Sequence, residues 1–140
     1  MRQMQSRSEQ RGVTLIELMI VVVILAIIAA IAIPSYRQQV LRSNRSDAKV
    51  ALMQTVQNLE RCFTSNSTYT ACYDEDPETF PSVPNGLYAV TVDVDDTGTE
   101  YDLTAAPQEG QAQDTVCGTF TIDEDNDRGI TGTGTEDECW

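Results

Sequence analysis

One continuous apolar stretch dominates the first quarter of the chain. It covers Val13–Ile33, 21 residues in which only Thr14 and Glu17 are polar. A helix rises about 1.5 Å per residue, so this stretch spans about 31 Å and matches the roughly 30 Å hydrocarbon core of a bilayer. Pro34 follows directly and is expected to end or kink the helix. The pattern predicts a transmembrane helix over residues 13–33.

The next segment has a different period. No Gly or Pro occurs in residues 35–63, and apolar side chains recur every three or four positions. Such spacing is typical of a helix with one buried face. We therefore predict that the helix continues over residues 34–63 as an amphipathic element. Its buried face consists of Leu41, Arg45, Ala48, Leu52, Val56, Leu59 and Phe63. Such a face packs either on a domain of its own chain or on other copies of the chain, and we expect residues 52–63 to pack on the sheet of their own chain.

Residues 64–140 are predicted to form a globular head domain. Turn-forming residues are dense up to Gly86, and short segments of alternating, β-favouring residues follow. We predict strands over residues 87–94, 101–105, 117–123 and 128–131. Together they would form an antiparallel sheet laid across the end of the helix. The predicted fold class is therefore α+β, a long N-terminal helix packed on a small antiparallel sheet.

Charge is divided unevenly along the chain. Residues 1–62 carry eight bases and four acids, a net charge of +4, whereas residues 63–140 carry eighteen acids and only Arg128 as a base, a net charge of −17. The two parts must therefore face different surroundings or different partners. Phosphate binding needs Lys and Arg, so the charge of the head argues against direct contact with nucleic acid. Three arginines precede the apolar stretch and hold that end of the chain in the cytoplasm.

The groups that catalysis needs are missing. The chain has no His, the commonest acid–base group and metal ligand, and no Gly-rich phosphate loop. We predict neither enzymatic activity nor a cofactor. Asp123, Asp125 and Asp127 occupy positions 1, 3 and 5 of a calcium-loop pattern and are a weak metal candidate. Because Arg128 stands where that loop needs Gly and Gly134 where it needs Glu, a plain acidic turn is the favoured interpretation.

The four cysteines are Cys62, Cys72, Cys117 and Cys139. With no CxxC pair and no His, a zinc site is disfavoured. A chain sent across a membrane favours disulfides, and four cysteines allow three connectivities. We favour the sequential pairing Cys62–Cys72 and Cys117–Cys139. Each bridge would then close a modest loop and stabilise the head by roughly 3 kcal/mol on the chain-entropy account.

Three interpretations compete for the apolar stretch. In a cleaved secretory signal the Ala-Ile-Ala triplet at 30–32 would be the cleavage site. The apolar region of such signals has about 7–15 residues, and this stretch is longer. A plain membrane anchor leaves Glu17 unexplained, because an acid inside the membrane costs about 2.5–3.5 kcal/mol. In the third interpretation Glu17 is functional and needs a cationic partner. No base lies between Gly12 and Arg37, but cleavage before Val13 would create an α-amino group.

The residues around Glu17 resemble a known signal. Residues 11–22 read Arg-Gly-Val-Thr-Leu-Ile-Glu-Leu-Met-Ile-Val-Val, which is similar to the type IV pilin (class III) signal. The resemblance implies that a prepilin peptidase removes residues 1–12 as a leader by cutting after Gly12, and that the new N-terminus at Val13 is methylated. It also implies assembly roles for Thr14, Glu17 and Pro34, the last standing at the mid-helix proline of the family. Where this chain has Val13, the family usually has Phe.

The tail extends this resemblance. Cys117-Gly118 and Cys139-Trp140 resemble the corresponding parts of PilE-like minor pilins of type IVa pili. In that group a Cys-Gly strand opens, and a Cys-Trp ending closes, a disulfide-bound loop. The resemblance therefore supports a disulfide-bound C-terminal loop in the head.

The sequence and the resemblance together predict a minor structural subunit of a bacterial type IV pilus. It would span the inner membrane once before assembly and be extracellular in the pilus afterwards. The implied partners are other pilin subunits, the prepilin peptidase and the inner-membrane pilus assembly platform, and the implied roles are twitching motility, adhesion and DNA uptake. Two alternatives stay open. A type II secretion pseudopilin shares the leader and the helix, and a membrane-anchored calcium-binding surface protein would not need Glu17.

Overall fold

The computed structural model describes residues 12–71, 83 and 86–140. The chain divides into two compact units, residues 1–38 and residues 39–140. One long helix, α1 (Leu15–Asn66, 52 residues), contributes residues to both. The expectation of a long N-terminal helix is therefore confirmed.

Pro34 was expected to end or kink the helix, and the first of these two outcomes is excluded. α1 continues through Pro34, whose fixed φ is compatible with a helix. At the other end α1 extends three residues beyond the predicted Phe63. Polar side chains support this last turn, since the hydroxyl of Thr64 donates to the carbonyl of Glu60 at 2.8 Å. Ser67 follows with φ of 59°, a left-handed value that stops the helix.

In the first unit the apolar side chains of α1 are exposed. Leu15 is 77% exposed and Ile31 is 72% exposed, and the large apolar residues between them are exposed as well. Within the described residues α1 is the one helix long and apolar enough to cross a membrane, and none of its membrane-length stretch is buried by the chain. Length, composition and exposure therefore all fit a membrane span.

The second unit contains a four-stranded antiparallel sheet in the order β1-β2-β3-β4. The strands are β1 (Tyr88–Val94), β2 (Tyr101–Pro107), β3 (Phe120–Asp123) and β4 (Arg128–Ile130). A 3-10 helix, η1 (Glu109–Gln113), follows β2, and a short helix, α2 (Glu136–Cys139), follows β4. The α+β prediction is confirmed, and the largest difference from the predicted strand bounds is in β3. β3 begins at residue 120 and not at 117, because Gly118 has a φ of 63° that no strand residue adopts.

The two faces of the sheet differ in character. The inner face carries Val92, Leu103, Phe120 and Ile122, which are buried against Ala48, Ala51, Leu52 and Leu59 of α1. The outer face is polar and in register across three strands. One row pairs Thr91 with Thr104 and Thr104 with Thr121, and a second row, the acidic row, pairs Asp93 with Asp102 and Asp102 with Asp123. This alternation is what a sheet with one solvated face requires.

Candidate functional site

The start of α1 is built by Thr14 and Glu17. The backbone N–H of Glu17 donates to Thr14 Oγ1 at 3.3 Å, and the N–H of Leu18 donates to the Thr14 carbonyl at 3.2 Å. Thr14 is thus the N-cap of the helix and satisfies a backbone donor that has no partner inside the helix. The carboxylate of Glu17 lies in the first turn, where the helix dipole favours negative charge. Two of the predicted assembly residues are therefore neighbours.

The other predicted residues of this segment flank the helix start or lie within the helix. Gly12 and Val13, the predicted processing residues, directly precede Thr14 and are exposed. An added Cβ at Gly12 would meet no atom within 4 Å, so the chain is accessible there. Pro34 lies within α1, remote in sequence from the helix start. The roles of all these residues remain predictions.

The C-terminal loop is closed by a disulfide between Cys117 and Cys139, whose Cα atoms lie 5.7 Å apart. This half of the predicted pairing is confirmed. Cys62 also takes part in a disulfide, but its predicted partner Cys72 lies outside the described residues, so the pair Cys62–Cys72 remains a prediction.

A buried ion pair joins α1 to the segment that leads into this loop. Arg45 Nε lies 2.6 Å from Asp114 Oδ2, and Arg45 Nη2 lies 2.7 Å from Asp114 Oδ1. The side chain of Asp114 is fully buried, and that of Arg45 is 11% exposed. Burial alone would raise the pKa of Asp114, but hydrogen bonds from Arg45 and from the N–H groups of Cys117 and Val116 outweigh it and hold the pKa below its usual value. The pair is therefore charged at neutral pH.

A buried glutamine extends this contact. Gln111 Nε2 donates to the hydroxyl of Tyr88 at 3.0 Å and to Asp114 Oδ2 at 3.3 Å, and Gln111 Oε1 accepts from Asn44 Nδ2 at 2.9 Å. Burial raises the pKa of Tyr88 to about 12, so this hydroxyl stays protonated. Every described polar side-chain atom buried in the head has a hydrogen-bond partner, which is the condition for a stabilising buried network.

Lys49 holds the other end of the loop. Its Nζ donates to the main-chain oxygens of Cys139 at 2.9 Å and Trp140 at 3.2 Å. The indole of Trp140 donates to the carbonyl of Gly129 at 3.0 Å, and the guanidinium of Arg128 lies 5.1 Å from the ring centroid. Burial lowers the pKa of Lys49, with smaller contributions from Arg45 and Arg128. The loop is thus seated on α1 by the main chain of its last residues.

Sequence reasoning missed Asp114 and Gln111. A signal for one of them was present, because Arg45 interrupts an otherwise apolar helix face, and a charge on a buried face needs a partner. Eighteen acids in the head offered no way to select Asp114. Nothing in the sequence marks Gln111, whose burial depends on the path of η1.

The weak metal candidate forms a hairpin turn. Asp123 Oδ1 accepts the N–H of Asp127 at 2.8 Å, and Asn126 adopts a left-handed φ of 64° between them. One carboxylate is therefore engaged by the turn itself. In the part of the chain that the structure describes, no three Cys, Asp or Glu side chains are placed to hold a metal ion. This applies also to the candidate set Asp123, Asp125 and Asp127.

Comparison with known proteins identifies the class. A family model described as "Type IV minor pilin ComP, DNA uptake sequence receptor" matches residues 34–121, and the "Prokaryotic N-terminal methylation motif" matches residues 7–33. The chain belongs to the type IV pilin family.

Individual relatives are described as fimbrial proteins. The "Type IV major fimbrial protein FimA" of Dichelobacter nodosus is 42% identical over 67 residues, which are 48% of this chain and 42% of FimA. The "Fimbrial protein EcpC" of Eikenella corrodens is 59% identical over 39 residues, 28% of this chain and 26% of EcpC. The match thus spans less than half of either relative. A solved type IV pilin from Shewanella oneidensis has the same fold, with a TM-score of 0.51 and 24% identity over 71% of this chain and 97% of that one.

Proposed function

We propose that this chain is made as a prepilin, is cut between Gly12 and Val13, and enters a type IV pilus as a minor subunit. The observation that carries the proposal is the start of α1. A capped helix with an acid in its first turn continues into a membrane-length apolar surface that its own chain leaves uncovered. Such a surface is stable only in lipid or against other apolar helices. The first environment is the inner membrane, and the second is the core of a filament.

Glu17 would select the partner and the register of assembly. Val13 and Glu17 are four residues apart, a rise of about 6 Å along a helix. A carboxylate in hydrocarbon is costly unless it is paired, and the methylated amine of Val13 in a neighbouring subunit is a cation of the right charge. Joining the filament therefore relieves a penalty that the single subunit bears in the membrane.

The test is to follow three substitutions of Glu17 beside the wild type. We expect Glu17→Ala and Glu17→Gln to be cleaved after Gly12 and to stay in the membrane, yet to be strongly depleted from sheared filaments. Glu17→Asp keeps the charge and should be incorporated better than either. Asp47→Asn, which removes an acid from the same helix outside the apolar stretch, is the matched control. Equal incorporation of Glu17→Gln and the wild type would end this mechanism.

Processing is tested by the intact mass of filament protein. We expect a chain that begins at Val13 with one added methyl group. A mature chain beginning near Ile33 would instead make the apolar stretch an ordinary secretory signal. The prepilin peptidase and the inner-membrane assembly platform are the partners that this proposal requires, and other pilin subunits surround the chain in the filament.

The minor status of the subunit is supported by the description of the matching family model. Quantitative mass spectrometry of sheared filaments tests it, since a minor subunit is far less abundant than the major pilin. A chain that makes up most of the filament protein would be the major subunit. Twitching and adhesion assays on a deletion strain, complemented with the wild type or Glu17→Ala, then separate a role in the filament from a role in the membrane.

DNA uptake is a second candidate function, because the matching model describes a DNA uptake sequence receptor. The charge of this chain points the other way. Residues 63–140 have a net charge of −17, and Arg128, the base among them, stacks on Trp140. Phosphate contacts need several cations. We therefore infer that this head does not hold the DNA backbone itself, and that any part in uptake is played through the filament.

A gel-shift titration with duplex DNA at low salt tests whether the head binds DNA directly. We expect no retention of DNA by the wild type, and no change with Arg128→Gln. Retention that prefers one DNA sequence, and that Arg128→Gln weakens, would make the head a receptor and overturn the inference from charge.

A further inference from the structure

Two cations on α1 contact opposite ends of the C-terminal loop. Arg45 and Lys49 are four residues apart, about one helical turn, so they lie on the same side of the helix. Arg45 binds Asp114, three residues before Cys117, and Lys49 binds the carbonyl oxygen of Cys139 itself. Each cysteine of the disulfide is thus tied to the helix independently of the bond between the sulfurs.

The tie to Cys117 passes through one carboxylate. Asp114 Oδ1 accepts from Arg45 Nη2 at 2.7 Å, from the N–H of Val116 at 3.2 Å and from the N–H of Cys117 at 3.3 Å. Because the Asp114 side chain is excluded from water, these charge-assisted bonds are strong and hold the backbone in one place. The position of Cys117 is therefore fixed relative to Arg45.

The tie to Cys139 is direct. Cys139 is the last residue of α2, and the last carbonyls of a helix have no partner within it. Lys49 Nζ supplies the missing donor to Cys139 at 2.9 Å and continues to Trp140 at 3.2 Å. The ammonium group thus fixes the end of α2 on α1.

We propose that Arg45 and Lys49 act as a template for the disulfide, seating Cys117 and Cys139 on α1 before their sulfurs are joined. In that step the two thiols lose their protons, an Sγ–Sγ bond forms through a mixed disulfide, and two electrons pass to a disulfide oxidant, which is reduced to two thiols. Holding both backbones in place raises the effective concentration of one thiol at the other. The bond then locks a loop that already has its native position.

The loop also contains its own backbone pairing, which is the rival explanation. The N–H of Gly132 donates to the Cys117 carbonyl at 3.1 Å, and the N–H of Gly134 donates to the Val116 carbonyl at 2.8 Å. These bonds seat Cys117 against the returning chain, and the indole of Trp140, which donates to the carbonyl of Gly129 at 3.0 Å, holds the residue that follows Cys139. If this pairing were sufficient, Lys49 would have no influence on oxidation.

Reoxidation of the full-length protein in detergent micelles distinguishes the template from the backbone pairing of the loop. The protein is reduced with dithiothreitol and reoxidised with glutathione disulfide, and the linked Cys117–Cys139 peptides are counted by mass spectrometry after alkylation. We expect Lys49→Met to form the bond about tenfold more slowly than the wild type, since a charged hydrogen bond to the second cysteine is lost. The control Arg42→Met removes an exposed cation that forms no ion pair with any described residue, and it should oxidise at the wild-type rate. Equal rates for Lys49→Met and the wild type would overturn the template.

A second measurement uses Trp140, the one tryptophan of the chain, which reports whether the loop is seated. Its ring packs edge-on to Phe120 at 5.5 Å between centroids. We expect reduced wild type to keep the blue-shifted emission of the oxidised protein, and reduced Lys49→Met to shift to the red while oxidised Lys49→Met does not. A red shift of the reduced wild type as large as that of the reduced variant would contradict the proposal, because the loop would then need the disulfide to find its place.

Discussion

The acidic row on the outer face of the sheet lowers the stability of the head, and removing its middle member should raise it. Asp102 on β2 is in register with Asp93 on β1 and with Asp123 on β3. Like charges directly opposite on adjacent strands destabilise a sheet by about 0.2–1 kcal/mol per pair. Asp102 takes part in two such pairs and Asp93 in one. We therefore expect Asp102→Asn to gain about 0.4–2 kcal/mol and Asp93→Asn about half of that.

Thermal unfolding followed by circular dichroism measures both gains. For a head of this size 1 kcal/mol corresponds to a rise in Tm of about 4–8 °C, so the two variants are separable. At about 1 M NaCl the Debye length falls to about 3 Å, and the gains should shrink. Asp96→Asn removes an exposed acid outside the row and serves as the control. Equal effects of Asp93→Asn and Asp102→Asn, or a gain of Asp102→Asn that persists at high salt, would show that repulsion within the acidic row does not lower stability.

Three further predictions concern the remaining carboxylates. Asp114→Asn leaves the charge of Arg45 buried without its partner and should cost about 3–5 kcal/mol in chemical denaturation, whereas a double substitution of both by apolar residues should recover much of the loss. The pKa of Asp114 lies below its usual 3.8, so its contribution to stability is complete above pH 3.8 and is lost as the pH falls through the lower folded pKa. Below about pH 4 the Tm of the wild type should therefore fall more steeply than that of Asp114→Asn. Parallel decreases of the two Tm values would show that the ion pair does not stabilise the head. Millimolar calcium should leave the Tm unchanged, because Asp123 already caps its own turn; a large rise that Asp125→Ala abolishes would restore the calcium site.

The parts of the fold that follow from local pattern were predictable from the sequence. The apolar run and the period of α1, and the alternation in β1 and β2, each depend on neighbouring residues and were located to within a few positions. The effect of Pro34 was less accessible, since a proline can either end or kink a helix and the local sequence does not decide between the two.

The anchor of the C-terminal loop, meaning the contacts of Arg45 with Asp114 and of Lys49 with Cys139, could not be derived in the same way. The contact of Arg45 with Asp114 joins residues 69 positions apart, and it depends on where η1 and the following turn direct the chain. Of the two cations in the anchor, Arg45 is marked by its place on an apolar face, whereas Lys49 binds main-chain oxygens that carry no sequence signature. Contacts to backbone at long range are therefore the part that only the folded head reveals.

The disulfide between Cys117 and Cys139 also bears on how the head withstands trypsin-like proteases. Trypsin-like enzymes require Lys or Arg before the bond they cut. Between Arg61 and the end of the chain the head offers a single such bond, Arg128–Gly129. That bond lies in β4, next to the ring of Trp140, and within the loop closed by Cys117 and Cys139. A cut there would leave both fragments covalently joined, so a single cleavage at this bond would release no part of the head.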